Sequence, residues 1–430
     1  MTERTFEQSA RQLERAERVI PLGSQTFSKS RTQYPLGVSP LFIERAKGSR
    51  VWDVDGNEYV DFVSSLLSVT LGYGDPDVTD AVRAQLEGGV IFSLPHPLET
   101  EVAELIVEMV PCAEQVRFGK NGSDATAGAI RLARAYTGRD RVCVSGYHGW
   151  QDWYIGSTAR SRGVPEATRQ LTHPFPYNNL DALEALFREH RGEIAAVIME
   201  PMNVEWPLEG FLEGVQEICR REGAVLIFDE TITGFRFAPG GAQELFGVTP
   251  DLACFGKGLA NGYPISAIAG RRDLMKLMEE VFFSFTFGGE MLSLSAAKAT
   301  LLKLKREPVT QRMAEMGDRL LDRIPSIVAE HELDHVFAVK GHPSWTFLTI
   351  ADADGAGGFD IKTLLMQELH QRGFLSIGTH NLNYAHSDAD IEGLLGAYSE
   401  IFPQIAAGLH DGDLDRRIKG ERLVPLFKVR

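Results

Sequence analysis

The sequence predicts an α/β fold in which a large domain with a mainly parallel β-sheet is followed by a smaller α+β domain. From about residue 76, short apolar runs alternate with helical patterns, which is the order of strands and helices in parallel sheets. The chain has 430 residues. That length exceeds what one hydrophobic core usually supports, so a second domain is expected.

Five apolar runs are the strand candidates of the large sheet, and three helical segments separate them. Several runs end on a polar residue or a glycine, and ligands in such sheets bind at the carboxyl ends of strands. We therefore expect the functional residues at these ends. The strand candidates are Val116–Phe118, Arg141–Val144, Ala195–Met199, Ala224–Phe228 and Leu252–Phe255, and the helices are Ala125–Tyr136, Leu180–His190 and Gly214–Glu222.

The segments before and after the predicted large sheet have different sequence patterns. Phe6–Ile20 predicts an amphipathic helix, and strands are predicted at Leu41–Ala46, Arg50–Val54 and Tyr59–Phe62. The locally basic Arg416–Arg430 is interpreted as a solvated tail or a packing arm. The predicted organisation is an N-terminal arm with a small antiparallel unit over 1–75, a large domain over 76–307 and a small domain over 308–430.

The amino-acid composition argues against several classes of binding partner. The formal net charge of −15 argues against nucleic acid, because an acidic surface repels phosphate backbones. No stretch reaches membrane-spanning length and the N-terminus lacks an apolar signal core. We therefore expect a cytoplasmic protein without membrane or nucleic-acid partners. The cysteines lack the spacing of zinc sites, so buried free thiols and no metal are expected at Cys112, Cys143, Cys219 and Cys254.

One lysine lies among glycines directly after an apolar run. The segment Phe255-Gly256-Lys257-Gly258 places the Lys257 amine at a strand end, where the glycines leave room for a bulky planar group. A lysine that forms a Schiff base needs this arrangement, whereas a surface lysine does not. Glycine beside lysine also occurs in ordinary turns, so the segment alone leaves both interpretations open.

Carboxylates end two of the other runs. Asp229 follows Ile227-Phe228, and Glu200 follows Ile198-Met199. A carboxylate at a strand end can keep the ring nitrogen of a cofactor protonated. An aspartate before a turn can equally be an ordinary helix N-cap, so both interpretations remain open here as well.

Small and aromatic residues follow two further runs. Gly122-Ser123 opens a helix, and the N–H groups at a helix start can bind phosphate, although the same residues often serve as caps. Tyr147 stands after a glycine, can lie flat on a planar cofactor and is followed by His148. Together with Glu200, Asp229 and Lys257, these residues lie at predicted strand ends of a single sheet, which makes coincidence an unsatisfactory explanation.

The sequence resembles the class III (subgroup II) aminotransferases, which are pyridoxal-phosphate (PLP) enzymes of fold type I, and in particular the branch similar to glutamate-1-semialdehyde aminomutase. The resemblance extends from about Pro40 into the C-terminal part, with its most specific segments at Leu41–Phe62, Phe228–Arg236 and Phe255–Pro264. It implies a seven-stranded type of sheet in the large domain and PLP as the cofactor. It also implies a small-molecule amino donor, a carbonyl acceptor and a homodimer with shared active sites.

The resemblance assigns roles residue by residue. Lys257 matches the Schiff-base lysine, which also moves a proton between the substrate α-carbon and the C4′ carbon of the cofactor. Asp229 matches the aspartate that pairs with the pyridine nitrogen. Gly122 and Ser123 match the residues that hold the phosphate.

The remaining matches complete the predicted cofactor site. Tyr147 matches the residue stacked on the ring, and Glu200 matches a glutamate near the hydroxyl edge of the cofactor. Thr286 matches the threonine that reaches the phosphate of the neighbouring subunit. His148 and Thr231 are assigned to the same site.

The sequence departs from the family pattern where substrate would bind. Thr231 stands where the family usually has a valine packed on the ring face. The aminomutases carry an arginine in their N-terminal arm that binds a substrate carboxylate, but here the arm reads Leu22–Lys29. Lys29 or Arg31 would have to substitute, and a lysine lacks the bidentate geometry of a guanidinium. Val63–Ser68 also differs from the aminomutase pattern.

The predicted function is that of a PLP-dependent aminotransferase, which moves an amino group from a donor to an aldehyde or ketone by ping-pong chemistry through pyridoxamine phosphate. The polar loop Ser24–Gln33 and the triplet Thr379-His380-Asn381 suggest a polyhydroxylated or sugar-like acceptor. The alternatives are a glutamate-1-semialdehyde-type 2,1-aminomutase and a non-catalytic module with the same fold.

Overall fold

The computed structural model describes residues 4–424. Contacts within the chain divide these residues into two compact units. One runs from the N-terminus through Asp75 and resumes at Gln311, and the other comprises Pro76–Thr310. The N-terminal and C-terminal segments that the sequence separates therefore belong to one unit.

The strands are numbered in chain order. They are β1 (Ile43–Lys47), β2 (Arg50–Asp53), β3 (Glu58–Asp61), β4 (Gln115–Gly119), β5 (Arg141–Ser145), β6 (Thr172–Pro174), β7 (Ile194–Met199), β8 (Val225–Asp229), β9 (Leu252–Phe255), β10 (Ser266–Gly270), β11 (Phe337–His342), β12 (Trp345–Ile350), β13 (Phe374–Leu375) and β14 (Thr379–Asn381).

The helical segments are numbered in the same way. They are α1 (Glu7–Glu17), α2 (Ser64–Leu67), α3 (Pro76–Gly88), α4 (Pro97–Met109), α5 (Gly122–Thr137), α6 (Asp152–Ile155), α7 (Glu166–Arg169), α8 (Leu180–Glu189), α9 (Phe211–Glu222), α10 (Ala242–Phe246), α11 (Arg272–Met275), α12 (Met291–Arg306), α13 (Val309–Glu330), α14 (Gly358–Gln371), α15 (Asp388–Asp411) and α16 (Leu414–Arg417). Short 3-10 turns lie at Pro21–Gly23, Phe27–Lys29, Arg31–Gln33, Lys257–Ala260 and Lys276–Glu279.

The unit formed by Pro76–Thr310 contains the predicted mainly parallel sheet. Its seven strands lie in the order β4-β10-β9-β8-β7-β5-β6. The strands β9, β8, β7, β5 and β6 are parallel to one another, whereas β10 is antiparallel to both β4 and β9. The carboxyl ends of β4, β5, β7, β8 and β9 therefore meet at one edge of the sheet, which confirms the predicted fold class.

Helices cover both faces of this sheet. In β7, Ala196 and Ile198 join the core cluster that includes the buried residues of α5. Val197 and Met199 join the cluster formed by residues of α8 and α9. Because side chains alternate along a strand, two apolar layers on opposite faces explain why every residue of β7 is buried.

The other unit contains two smaller sheets. One has the strand order β1-β2-β3-β13, in which β13 is parallel to β3, and the other is the antiparallel sheet β11-β12-β14. The helices α13, α14 and α15 accompany them, in agreement with the predicted α+β character. The basic segment Arg416–Arg430 begins inside α16, and its residues 425–430 lie outside the described part.

The segment α2 is a left-handed turn. Its four residues Ser64–Leu67 have φ between 45° and 69°, which costs about 1–2 kcal/mol per residue when no glycine is present. Hydrogen bonds compensate for this strain: the Asp61 carboxylate accepts from the Val63 and Ser64 amides, and the Ser64 hydroxyl donates to the Asn381 carbonyl. The sequence contains no signal for this turn.

All four cysteines are buried free thiols, as expected. Among the helices of residues 4–424, none is long and apolar enough to cross a membrane.

Candidate active site

Most of the predicted site residues lie together at the carboxyl edge of the seven-stranded sheet. Asp229 is the last residue of β8, Glu200 follows β7, and Lys257 lies two residues beyond β9. Tyr147 and His148 follow β5. The parallel direction of these strands is what brings residues more than a hundred positions apart into one site.

Lys257 begins a tight 3-10 turn directly after β9. Its φ of 40° is in the left-handed region that most side chains avoid. The preceding Gly256 is packed closely against two other segments, because a Cβ there would lie 3.3 Å from the Thr231 methyl and 3.7 Å from the Gly122 Cα. The Lys257 backbone is therefore adjacent to the start of α5 and to the turn after β8.

Asp229 is a buried carboxylate with three hydrogen-bond donors. His148 Nδ1 lies 2.8 Å from Asp229 Oδ2, and Oδ1 accepts from the Thr231 hydroxyl at 2.6 Å and the Thr231 amide at 3.1 Å. Burial raises the pKa of Asp229, but the hydrogen bond and charge of His148 and the two donors of Thr231 outweigh it and lower the pKa below its ordinary value. Asp229 is thus held as an anion.

His148 connects Asp229 to an aromatic cluster. Its ring is stacked near Trp153 at 6.3 Å and lies edge-on to Tyr154 at 5.2 Å, and its side chain is fully buried. The backbone carbonyl of His148 accepts from the Thr126 hydroxyl of α5. His148 is therefore fixed from both sides, with Nδ1 directed at Asp229.

The first turn of α5 opens at the same edge of the sheet. The Asp124 carboxylate accepts from the amides of Lys120 and Asn121, so it caps the chain just before the helix. The amides of Gly122 and Ser123 are in the first turn, where N–H groups have no partner within the helix. Gly149 contacts this turn closely, since a Cβ there would overlap the Ser123 hydroxyl.

Glu200 holds the loop that carries Tyr147. Its Oε2 accepts from the Tyr147 amide at 2.9 Å and from the Asn203 side chain at 2.8 Å. Gly146 permits this approach, because a Cβ there would lie 2.5 Å from the same oxygen. The half-buried Tyr147 ring packs edge-on against Tyr154, so its plane is set by protein contacts.

Thr286 is the predicted site residue that the structure does not bring into this cluster. It is exposed in the loop before α12. Glu290 caps α12 through the amides of Leu292 and Ser293 and pairs with Lys120 at 3.1 Å. The Thr286 loop is therefore tied through Glu290 to Lys120, which precedes the α5 turn, while Thr286 itself is exposed.

Sequence reasoning missed several supporting residues. Asn203 and Tyr154 are separated from the motifs by loop positions without a recognisable pattern, and the Lys120–Glu290 pair joins residues 170 positions apart. The sequence signal for this part of the site is the pair of glycines, Gly146 and Gly149, on either side of Tyr147 and His148. The triplet Thr379-His380-Asn381 forms β14 of the other unit.

The family model for class III aminotransferases matches residues 33–383 of the chain. The chain belongs to the class III aminotransferases. This family assignment confirms the resemblance inferred from the sequence motifs, and it accounts for the strand-end cluster at the large sheet.

Three similar proteins agree with this assignment. A glutamate-1-semialdehyde 2,1-aminomutase of Syntrophobacter fumaroxidans is 42% identical over 72% of this chain and 75% of its own. A 3-aminobutyryl-CoA aminotransferase of Cloacimonas acidaminovorans is 33% identical over 91% of this chain and 96% of its own. The PLP-bound FumI protein of Sphingopyxis sp. MTA144 has a TM-score of 0.87 and 31% identity, with coverages of 94% and 97%.

Class III aminotransferases and their aminomutase relatives are PLP enzymes that act on small amino and carbonyl compounds. This chain is therefore a PLP-dependent transaminase or aminomutase, and PLP is its cofactor.

Proposed function

We propose that this protein is an aminotransferase that moves an amino group from a small-molecule donor to an aldehyde or ketone acceptor by ping-pong chemistry, with the cofactor alternating between PLP and pyridoxamine phosphate. The observation that supports this proposal is the ionised, buried Asp229 at the same sheet edge as Lys257 and the α5 turn. When bound, PLP supplies an electron sink for the carbanion formed at the substrate α-carbon.

The chemistry of the strand-end residues fits PLP. Asp229 is a carboxylate kept anionic in a buried position, as an interaction with a protonated ring nitrogen requires. The amides of Gly122 and Ser123 are free of helical partners and suit a phosphate. The glycines at 146 and 149 allow Glu200 and Ser123 to approach the loop that carries Tyr147 and His148, because a Cβ at either position would overlap those side chains.

In this proposal, Lys257 would hold the cofactor through its amine and would move a proton to and from the substrate α-carbon. Tyr147 would cover one face of the ring, and Glu200 would lie towards its hydroxyl edge. His148 orients Asp229. Thr231 lies between Asp229 and two glycines, Gly122 and Gly256. These roles follow the family match and are consistent with the contacts described above.

We further propose a homodimer in which Thr286 completes the neighbouring site. The loop before α12 exposes large apolar side chains, with Phe282 at 84%, Phe287 at 57% and Phe285 at 38% of full exposure. Such a cluster is typical of a surface that another protein covers. A second copy of the chain would bury these rings and bring the exposed Thr286 to a phosphate bound at the α5 turn of its partner.

The N-terminal arm favours the transaminase over the aminomutase. Of the two cations that were candidates for a substrate carboxylate, Arg31 pairs with Glu17 of the same unit at 2.5 Å, and Lys29 is exposed on a 3-10 turn. Because Arg31 Nε is paired with Glu17, the full guanidinium fork is not available for a substrate carboxylate. The aminomutase remains the alternative, since the Syntrophobacter relative carries that name.

The hypothesis of a polyhydroxylated acceptor loses the support of His380. His380 bonds to the Thr346 hydroxyl at 2.7 Å and to the Tyr398 hydroxyl at 2.6 Å, so both of its ring nitrogens are occupied. The Asn381 amide donates to the Val63 carbonyl, while Thr379 Oγ1 and Asn381 Oδ1 have no hydrogen-bond partner among the described residues. The hypothesis therefore rests on Ser24–Gln33 and on these two oxygens.

A screen of amino donors and carbonyl acceptors on the purified protein tests the proposal. We expect the cofactor absorbance to change on addition of a suitable amino acid and to return on addition of an aldehyde or ketone. Lys257→Ala should abolish both changes. No response to any donor would contradict an aminotransferase.

The aminomutase alternative has its own test. It requires turnover of 4-amino-5-oxopentanoate without a second substrate, and we expect none. Turnover of that compound alone would contradict the proposed transaminase and establish the alternative.

A further inference from the structure

Thr231 carries a hydroxyl group that contacts Asp229. Its Oγ1 donates to Asp229 Oδ1 at 2.6 Å, and the Thr231 amide donates to the same oxygen at 3.1 Å. The methyl group faces the other way, towards Gly122 and Gly256, where added Cβ atoms would lie at 3.0 Å and 3.3 Å. A valine would keep the methyl contacts and lose the hydroxyl bond.

The two oxygens of Asp229 are used unequally. An ionised carboxylate accepts about four hydrogen bonds, two on each oxygen. Oδ1 already has two donors, both from Thr231, whereas Oδ2 has His148 Nδ1 alone. Within the described residues, the open position is therefore on Oδ2.

We propose that the Thr231 hydroxyl is a positioning group for the reaction: it holds Asp229 Oδ1, so that Oδ2 is the oxygen left to meet the ring nitrogen of the cofactor. This inference rests on the proposed role of Asp229. Thr231 acts through Asp229, without requiring contact with the reacting atoms. With valine at this position, the carboxylate would retain only the backbone amide on Oδ1 and could rotate.

The surroundings of Asp229 leave few other groups that could replace the hydroxyl. Two titratable groups that interact with it are His148, from the turn after β5, and the buried thiol of Cys254, from β9, whose pKa is raised by burial and by the Asp229 charge. A thiol held protonated is a weak donor. Thr231 is thus the principal side-chain donor on the Oδ1 side.

The experiment uses two matched variants. Thr231→Val removes the hydroxyl and keeps the shape, and Thr231→Ser keeps the hydroxyl and removes the methyl group. The affinity of the apo-protein for PLP is measured by quenching of tryptophan fluorescence, together with the thermal midpoint of each apo-protein. We expect Thr231→Val to weaken PLP binding by about tenfold, the effect of one hydrogen bond to a charged group, and Thr231→Ser to remain within about twofold of the wild type.

A double-mutant cycle separates positioning from packing. In an Asp229→Asn background, Thr231→Val should change the PLP affinity by less than about twofold, because the carboxylate through which it acts is gone. Equal effects in both backgrounds, or a Thr231→Ser variant as weak as Thr231→Val, would overturn the proposal. If Thr231→Val binds PLP normally while Lys257→Ala still loses the attached cofactor, this inference fails and the proposed function stands.

Discussion

His148 Nδ1 lies 2.8 Å from Asp229 Oδ2, and both side chains are buried. Because the ionised carboxylate can only accept, Nδ1 of this imidazole carries a hydrogen and donates it. The other ring nitrogen, Nε2, has no hydrogen-bond partner among the described residues. His148 therefore serves Asp229 through one defined contact, and the neighbouring aromatic rings hold it in place.

Replacing His148 by phenylalanine tests the importance of that contact. The aromatic ring fits between Trp153 and Tyr154 but lacks the Nδ1 donor, so Asp229 loses a hydrogen bond to a charged group worth about 1.5–3 kcal/mol. We expect the dissociation constant for PLP to rise at least about tenfold. His335→Phe, at an exposed histidine paired with Asp354, is the control and should bind PLP as the wild type does.

The pKa of Asp229 makes a prediction for the stability of the apo-protein. Its pKa lies below the ordinary 3.8, so the folded state binds this proton less tightly than the unfolded state. The resulting stabilisation is complete above about pH 4 and is lost as the pH falls through the folded-state pKa. We expect the thermal midpoint of the wild type to exceed that of Asp229→Asn by at least as much at pH 5 as at pH 8. A loss within that range would mean that burial dominates and the pKa is raised.

The sequence could predict that the candidate site residues lie together, because their positions follow from strand ends. An apolar run such as Leu252–Phe255 has the bounds of β9, and the parallel order of the sheet then places Lys257 near Asp229. The strands β6 and β10 were not predicted, because they lack such an apolar run. In β10, the segment Ser266–Gly270 consists mostly of small residues, and β6 has only three residues and ends in Pro174.

The sequence predicted the substrate-binding residues less well, because contacts with distant residues determine whether their polar groups are available. His380 looked available in the sequence, but its partners Thr346 and Tyr398 are 34 and 18 positions away. Arg31 is likewise paired with Glu17 of the preceding helix. Nothing in the local sequence around either residue indicates that its polar groups are already occupied.

The left-handed turn predicts an unusual order of stability among substitutions. At Ser65, with φ of 48°, glycine adopts the backbone without strain, whereas alanine keeps the penalty of about 1–2 kcal/mol. We expect Ser65→Gly to be more stable than Ser65→Ala by about 1 kcal/mol in thermal unfolding. At Ser399, an exposed position inside α15, the order should reverse, since alanine is the better residue in a right-handed helix. The same order at both positions would contradict the left-handed turn.

Mixed dimers test the sharing of active sites. A Lys257→Ala subunit lacks the lysine, and a Thr286→Asp subunit places a negative charge where a phosphate of its partner would lie. Each variant alone should be inactive or nearly so. If Thr286 serves the neighbouring subunit, a mixed dimer contains one site with an intact Lys257 and an intact Thr286. Random pairing at equal amounts then restores about a quarter of the wild-type sites, measured as the change in cofactor absorbance with an amino donor. If Thr286 serves its own subunit, no mixed dimer has an intact site and mixing restores nothing.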